Sequence, residues 1–538
     1  MMTLRNLISF LFAFARLNGG KTKNLARFVS LLNGTNSEKS LKILLASSVG
    51  MNADQYFLNI LGGALNNRNH EVSTIVCDGA LKACFQCKHH HFSSISSQRE
   101  MASKGPKLFC GVCQKKGIHY ASASKSETLF FSDYLNDEEL DNVDKKIEEL
   151  TYLKEIENFT YRNYEVGKHA FSSAVRFFAS PYLEKETMGL EVSKSYLKSA
   201  IRTVLVFETL FASTNFDRVI LDHGIYCPQG IISEVANKFK IKQFCFATGY
   251  RKNSFLVSEN QSYHFEIPKN KNYEKLSKDS NKINIIKKYM ESKRTGKEDW
   301  VLFQEISEEK FIPQVDQSKI NIALFSNVLW DAKIHFDESI FEDPISWVKS
   351  TFEKSKDLEN INFILRVHPG EQKGFVKSRV SFVDKLSESL GYDCNDKFQI
   401  IDSNNPINSY DLADYCDYSI VYGSKIGIEL ASLNKKVIVV GDCWTRQKGI
   451  SIDPTSQKEY FEILRKINEN DFDFKTNILN SLSFSYDLYF KKMVSLEFLK
   501  KSKGDPPFDI SAEYLDRSHN LSDFVEFNDL INLIERKT

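Results

Sequence analysis

The pattern that most limits what this chain can fold into is a repeated order of apolar strand, glycine-bearing turn and helix. Residues 42–48 (KILLASS) form an apolar run, Gly50 follows, and apolar positions at Leu58, Leu61 and Leu65 continue a helical pattern that starts at Asp54. A second strand-like run covers 72–76, and the same order returns at 218–222, with a helix over 229–238 and a strand over 242–247. Short apolar runs separated by amphipathic helices build parallel sheets with helices on both faces. Five more such runs, at 321–325, 363–367, 398–401, 418–422 and 436–440, alternate with helical patterns at 344–356, 375–390, 409–415, 424–433 and 456–468. The polar stretch around 313–319 separates the two series.

This reading gives an α/β protein of two Rossmann-like domains facing a cleft. A segment over 1–40 precedes an acceptor-side domain at 41–315, which carries a Cys-rich and helical insertion at 77–212. A ligand-binding domain follows at 316–480, with C-terminal helices at 481–538. At 538 residues two or more domains are expected. With 42% hydrophobic and 26% charged residues the chain belongs to neither the disordered nor the collagen-like class. A formal net charge of +1 supplies no global field for nucleic acid, so no nucleic-acid partner is expected. The run Leu7–Ala15 falls well short of the ~20 residues that span a bilayer. Residues 4–16 suit either a helix on the protein's own core or a helix lying on the inner membrane surface. In the second case Phe10, Leu11 and Phe14 insert, and Arg5, Arg16, Lys21, Lys23 and Arg27 face anionic headgroups. The expected location is cytoplasmic.

Open parallel sheets bind ligands beyond the carboxyl ends of their strands, so residues just after each strand are the first candidates. Arg366, His368 and Glu371 follow one strand and suit a phosphate group, the guanidinium as a forked donor and the imidazole as a second. Tyr422-Gly-Ser-Lys-Ile-Gly-Ile-Glu429 passes from strand to helix. There Ser424 suits an N-cap, Gly427 allows close approach of backbone, Lys425 adds a charge, and Glu429 is placed to accept from ribose hydroxyls. Chemistry that removes a proton in such a cleft also needs a base, for which Asp222 and His223 at a strand end come first and Asp54 second.

The stretches Ile364-Leu-Arg-Val-His-Pro-Gly-Glu371, Ser409–Asp417, Val421–Ala431 and Lys436–Gly441, with Asn327-Val-Leu-Trp-Asp331, resemble the capsule polysaccharide biosynthesis proteins. The similarity covers about 320–470 well and 217–256 more weakly. It implies a GT-B-like glycosyltransferase that moves a sugar from a nucleotide-sugar donor to a surface polysaccharide or lipid-linked glycan acceptor, as relatives do with Kdo. Arg366, His368, Ser424, Gly427 and Glu429 are its implied donor-site residues, and Lys425 stands where Ser or Thr is usual. No cofactor is required for catalysis, in keeping with the lack of an Asp-x-Asp motif at a strand end of the second domain. A nucleotide-sugar epimerase or hydrolase of the same fold, and a non-catalytic assembly factor, remain the alternatives.

Ten cysteines are few for this length, yet five crowd one segment. Cys84-x-x-Cys87 and Cys110-x-x-Cys113, twenty-two residues apart, suit a structural zinc ion, with Cys77 and His89–His91 as spare ligands. Unligated thiols and a redox or iron–sulfur site are the other readings of the same spacing.

Overall fold

Strands that are apolar on both sides belong in parallel sheets covered twice. The computed structural model places them so. It describes residues 20–46, 49–276, 279–301, 313, 315–331, 339–374, 376–392, 399–472, 474–504 and 506–536; the expected surface helix at 4–16 lies outside these.

The first sheet is built from β1 (Lys42–Leu45), β2 (Glu71–Val76), β3 (Glu127–Phe130), β4 (Arg218–Asp222), β5 (Lys242–Thr248) and β6 (Ser254–Glu259). The second is built from β7 (Ile320–Phe325), β8 (Ile361–Arg366), β9 (Gln399–Ile401), β10 (Tyr418–Val421) and β11 (Lys436–Val439). A last strand, β12 (Met493–Ser495), returns to the first sheet. The spatial orders are β12-β6-β5-β4-β1-β2-β3 and β9-β8-β7-β10-β11. Within the first, β3-β2-β1-β4-β5 are parallel, and β6 and β12 add antiparallel strands at one edge. The second sheet is parallel throughout.

Both parallel cores therefore run in the order 3-2-1-4-5 counted from their own first strands, the doubly wound arrangement of a GT-B-like pair. The likeness extends to the hydrogen bonds at the foot of each sheet. The Asp217 carboxylate accepts from the Lys42 N–H at 2.8 Å, and Asp417 accepts from the Asn321 N–H at 2.9 Å. In each case the aspartate's own N–H returns a bond to the same residue's carbonyl at 2.8 Å. An aspartate before the fourth strand thus pins the first strand beside it in both halves.

The segment 77–212 is not one insertion. β3 lies inside it as the sheet's far edge, so the Cys-rich part becomes the crossover from β2 to β3 and the helical part the crossover from β3 to β4. In the latter, Val166–Phe178 packs along Gly189–Ser213, and Phe177, Phe178, Val204 and Phe207 are fully buried. Each such side chain contributes roughly 1.5–3 kcal/mol. Trp330 and Val376 of the second domain join that same core, so the crossover ties the two halves together. Arg379 reinforces the junction, its guanidinium on Glu186 at 2.8 Å and its N–H on the Ala179 carbonyl at 3.1 Å.

The C-terminal segment crosses back onto the first domain as β12 and then as a mix of short strands and helices. Its last helix, Val525–Glu535, buries Phe527, Leu530, Ile531 and Ile534 there. Arg218 bonds the carbonyls of Ile534 and Arg536 at 2.9 and 2.8 Å. Helix Gly20–Leu31 buries Leu25, Phe28 and Val29 in the same core, and Lys21 donates to the Pro506 carbonyl. Among the described residues, no helix is long and apolar enough to cross a membrane.

Candidate active site

In a 3-2-1-4-5 sheet the strand order reverses between the first and fourth strands, and the crevice there is where ligands sit. In the first domain that point lies between β1 and β4. It brings together two residues that sequence reasoning chose separately.

Asp222 ends β4 and is wholly buried. Gln55 Nε2 and Gln229 Nε2 donate to its two oxygens at 2.9 and 3.0 Å, and Asn52 Nδ2 makes a further bond. Burial, then the charge of Asp54, push this carboxyl up to about 7, against the smaller opposing pull of the amide donors. Asp54, the first residue of the helix Asp54–Asn66, is 8% exposed and accepts from Thr248 Oγ1 at 2.7 Å. The result is a pair of neighbouring carboxyls in which burial and the Asp54 charge favour the protonated form of Asp222.

A stability consequence follows with a definite sign. A carboxyl whose pKa is raised from 3.8 to about 7 on folding costs nothing below about pH 4, and its cost grows until it is complete above pH 7. Asp222→Asn removes that cost. Thermal melts at pH 5 and pH 8 are expected to show the variant gaining on the parent by on the order of 2 kcal/mol at the higher pH. A gap that stays constant or moves the other way removes the assignment.

His223 faces a different way. Its backbone is left-handed (φ 59°), as is that of Gly224 (φ 77°), so the chain turns sharply at the strand end. The imidazole lies among Phe85, Tyr226 and His264, with ring centroids 5.2, 5.1 and 5.4 Å away. Its Nδ1 has no hydrogen-bond partner among the described residues. Burial first, then His264 and Arg176, hold it well below the usual histidine range, so it is neutral. Arg176 stacks on Phe85 at 3.7 Å. These rings make an aromatic wall.

The second domain meets this rim directly. Tyr226 Oη donates to Asp331 Oδ1 at 2.8 Å, joining the loop after β4 to the loop after β7. Lys425 lies over the Tyr250 ring at 4.8 Å, and Trp444 approaches Tyr250 and Tyr263 edge-on at 6.2 and 6.0 Å. The crevice between β7 and β10 is crossed by Asn327 Nδ2, which donates to the Gly423 carbonyl at 3.1 Å. The two switch points share one cleft.

His368 follows β8, its N–H on Ser326 Oγ at 3.0 Å and its Nδ1 accepting from the Gly370 N–H at 3.0 Å. That bond assigns the ring proton to Nε2 in the neutral ring. Burial first, then Arg366 and Lys425, lower its pKa to about 4, so it is a neutral donor. Arg366 is buried and spends its guanidinium on the loop after β9, reaching the carbonyls of Asp402, Asn405 and Ile407, the last two at 3.2 and 3.4 Å. Glu371 is likewise turned inward, accepting from Phe382 N–H at 3.0 Å and Ser403 Oγ at 3.3 Å. Burial raises its pKa. Both organise the loops beside His368 rather than face the cleft.

The turn after β10 also differs from the expectation. The helix runs Ile426–Ser432 with Lys425 at its N-cap position, so Ser424 precedes the cap. Gly427 is required because a Cβ there would stand 2.7 Å from Thr445 Oγ1. Glu429 is fully buried and engaged on both oxygens: Lys425 at 2.7 Å, Tyr489 at 2.8 Å and Lys293 at 3.4 Å on Oε1, and Tyr410 at 2.7 Å on Oε2. Burial alone would raise its pKa, but Lys425 and Lys293 hold it down to about 2. Its place is in an ion cluster, not on a ribose.

The cysteine segment forms a chamber of its own. Cys77, Cys84, Cys87, Cys110 and Cys113 line one cavity with Val49, Met51, Phe92 and Phe109. His89–His91 form a short helix outside that lining, where His91 stacks on Phe109 at 5.0 Å. Burial foremost raises the Cys77 and Cys113 thiols to about 12. The Cys84 thiol is raised chiefly by its hydrogen bond with Cys87. Such thiols are not nucleophiles at neutral pH.

No protein-family model matches the chain, and no curated protein matches it by sequence. Among solved structures it is similar to the Thermosulfurimonas dismutans KpsC β-Kdo 2,4 transferase, with 13% identity and a TM-score of 0.34 over 59% of this chain and 87% of that one. The KpsC β-Kdo 2,7 transferase of the same organism gives 16% and 0.33 over 60% and 89%. UDP-GlcNAc 2-epimerase from Neisseria meningitidis, bound to UDP-GlcNAc, gives 11% and 0.24 over 84% and 99%. Likeness at this level decides nothing about function. That question falls to the residues of the cleft.

Proposed function

We propose that this chain is a glycosyltransferase that moves a sugar from a nucleotide-sugar donor to a surface polysaccharide or lipid-linked glycan acceptor. The observation that carries the reading is the meeting of two switch points across one cleft, one holding a carboxyl pair and the other cationic and N–H donors. The donor phosphates lie against His368 and Lys425, an imidazole N–H and an ammonium that meet the charge developing on the leaving oxygen. The acceptor sugar lies along the ring faces of Phe85, His223 and Tyr226.

In the transfer step the acceptor hydroxyl oxygen bonds to the anomeric carbon as the bond from that carbon to the phosphate oxygen breaks. The hydroxyl proton passes to Asp54, the carboxylate of the two that reaches the rim. Asp222, wholly buried, has its protonated form favoured and so limits the negative charge that builds up beside Asp54.

Calorimetric binding of CMP, UDP, GDP and their sugar conjugates tests the reading. One nucleotide is expected to bind selectively, and His368→Ala to weaken it about 10- to 100-fold, the value of one hydrogen bond to a charged group. A folded protein that binds none of them overturns the reading. Binding followed by release of free or isomerised sugar without acceptor replaces transfer with hydrolysis or epimerisation.

A further inference from the structure

The aromatic wall of the first-domain rim contains a charge that the protein itself leaves unanswered. Arg176, on the helix Val166–Phe178, is 9% exposed, and its guanidinium lies 3.7 Å from the Phe85 ring centroid and 5.3 Å from that of Tyr226. Nη1 donates to the Phe85 carbonyl at 2.8 Å, and among the described residues the guanidinium makes no other hydrogen bond and meets no carboxylate. The four other buried arginines are answered more fully. Arg202 pairs with Asp144 at 2.8 Å, Arg218 and Arg366 each reach three backbone carbonyls, and Arg446 reaches two. Three of those side chains also hold one nitrogen that is sealed from solvent without a partner: Arg202 Nη1, Arg366 Nε and Arg446 Nε. Arg176 holds no such sealed nitrogen, so its unused N–H groups open to solvent among the rings of the rim. Arginine is almost never buried unless it is paired, because a buried charge without a counter-charge is costly.

We infer, on the transferase reading of the cleft, that Arg176 binds an anionic group of the acceptor, a carboxylate or a phosphate, and that the acceptor is therefore an acidic glycan. A guanidinium stacked on a ring keeps its N–H groups in its own plane, where two of them form a fork for two oxygens of one anion. The sugar that carries the anion rests on the neighbouring ring faces. Arg176 is also held in place before anything binds. His169, Ser173 and Arg176 stand at i, i+4 and i+7 of one helix face. The His169 ring meets the Ile225 carbonyl at 2.6 Å and Glu234 at 2.8 Å, and Ser173 Oγ accepts from the Cys227 N–H at 2.9 Å. The same helix thus fixes the loop that carries Tyr226, the loop that carries Phe85 and the guanidinium itself, which lowers the ordering cost of binding.

The charge of the surrounding segment points the same way. Residues 79–125, the part of the β2–β3 crossover that supplies Phe85, hold eight Lys and Arg against one acidic residue, in a chain whose net charge is +1. On the helix Lys107–Ala123 the exposed residues Lys107, Gly111, Lys115 and His119 are four apart and so share one face. Arg99 and Lys104 of the preceding helix, Ile95–Lys104, are exposed as well. A basic surface continuous in the chain with the aromatic wall suits an acceptor whose anionic group recurs along a polymer.

The test is calorimetric binding of two matched pairs of probes to the full-length protein. One pair is a set of uronic-acid oligosaccharides beside the same compounds with their carboxyls reduced to alcohols; the other is oligo(ribitol phosphate) beside ribitol. The acidic member of one pair is expected to bind about 10- to 100-fold more tightly than its neutral counterpart, and which pair shows it tells carboxylate from phosphate. Arg176→Gln is expected to abolish the preference, and Arg176→Lys, which keeps the charge but not the fork, to retain part of it. On the parent chain, mass spectrometry after phenylglyoxal treatment is expected to show Arg176 protected by the acidic probe and not by the neutral one, a readout that needs no variant to fold. Equal binding of acidic and neutral probes, a preference that survives in Arg176→Gln, or modification of Arg176 that the acidic probe does not change overturns the inference. A parent chain that binds a nucleotide sugar but none of these probes also overturns it and leaves the transferase reading standing. Acid-selective binding at Arg176 in a protein that binds no nucleotide sugar keeps the anion site and removes the transferase reading.

Discussion

Asp54→Asn is expected to lower the turnover of sugar transfer by about 10²- to 10⁴-fold, the usual contribution of a general base, with nucleotide-sugar binding nearly unchanged. The split between turnover and binding follows from geometry. Asp54 stands on the first-domain rim, where Thr248 is among its partners, whereas the donor groups His368 and Lys425 belong to the second domain. The amide can still accept from Thr248, so the helix start is preserved. The same substitution at Asp222 tests something else. That carboxyl is sealed behind Asn52, Gln55 and Gln229 and cannot meet an acceptor hydroxyl, so its loss acts on the charge state and position of Asp54. Single-turnover rates with calorimetric affinities on both variants distinguish the two roles. If Asp54→Asn retains parental turnover, the base lies elsewhere on the rim, and His223 is the group left to take the proton.

All but one of the strands of the two parallel cores were legible because each is a short apolar run bounded by turn residues, and burial on both faces is written directly into such runs. β3 was not, for a physical reason. Glu127–Phe130 is an edge strand, exposed at Glu127 and half-buried over the rest, and so carries no contrast between a core face and a solvent face. β12, with three residues, is set by its partner β6 rather than by any pattern of its own. At the site, position was legible and orientation was not. Asp54, Asp222 and His368 all lie after strands, where ligand-binding residues are expected, and the fold brings them around one cleft. Which way a side chain turns is decided by partners remote in sequence. Arg366 turns in because the loop 402–407 offers it carbonyls, and Glu429 turns in because Lys293, Tyr410 and Tyr489 converge on it from three other elements. Gln55 and Gln229, the donors to Asp222, belong to no motif, and only the closing of β1 beside β4 gives them a common target.

That inward turn makes Glu429 the site of the second large effect. Lys293 reaches Asp299 at 2.9 Å and Glu429 at 3.4 Å, and Tyr289 donates to Asp299 at 2.6 Å, so two cations and two anions balance inside a shell of tyrosines. Glu429→Gln keeps the shape and the contacts with Tyr410 and Tyr489 but leaves the fully buried Lys293 and the partly exposed Lys425 with one carboxylate. Breaking a buried pair in this way typically costs about 3–5 kcal/mol, because the charge left behind is uncompensated. At roughly 2–4 °C per kcal/mol for a domain of this size, a melting temperature lower by on the order of 10 °C is expected. The pH dependence has the sign opposite to that at Asp222. Folding depresses the Glu429 carboxyl from 4.5 to about 2, so its stabilisation is fully present above about pH 4.5 and is lost as pH falls toward 2. The gap between parent and variant should therefore narrow through that window. Adding Lys293→Met removes the stranded charge together with its desolvation, so the double variant should lose less than the two single losses combined. Full additivity would mean that Lys293 and Glu429 do not act on each other. Because Lys293 caps the helix Ser280–Ser292 and Glu429 belongs to the helix Ile426–Ser432, the coupling measures how firmly the connecting segment is held to the second domain beside the cleft.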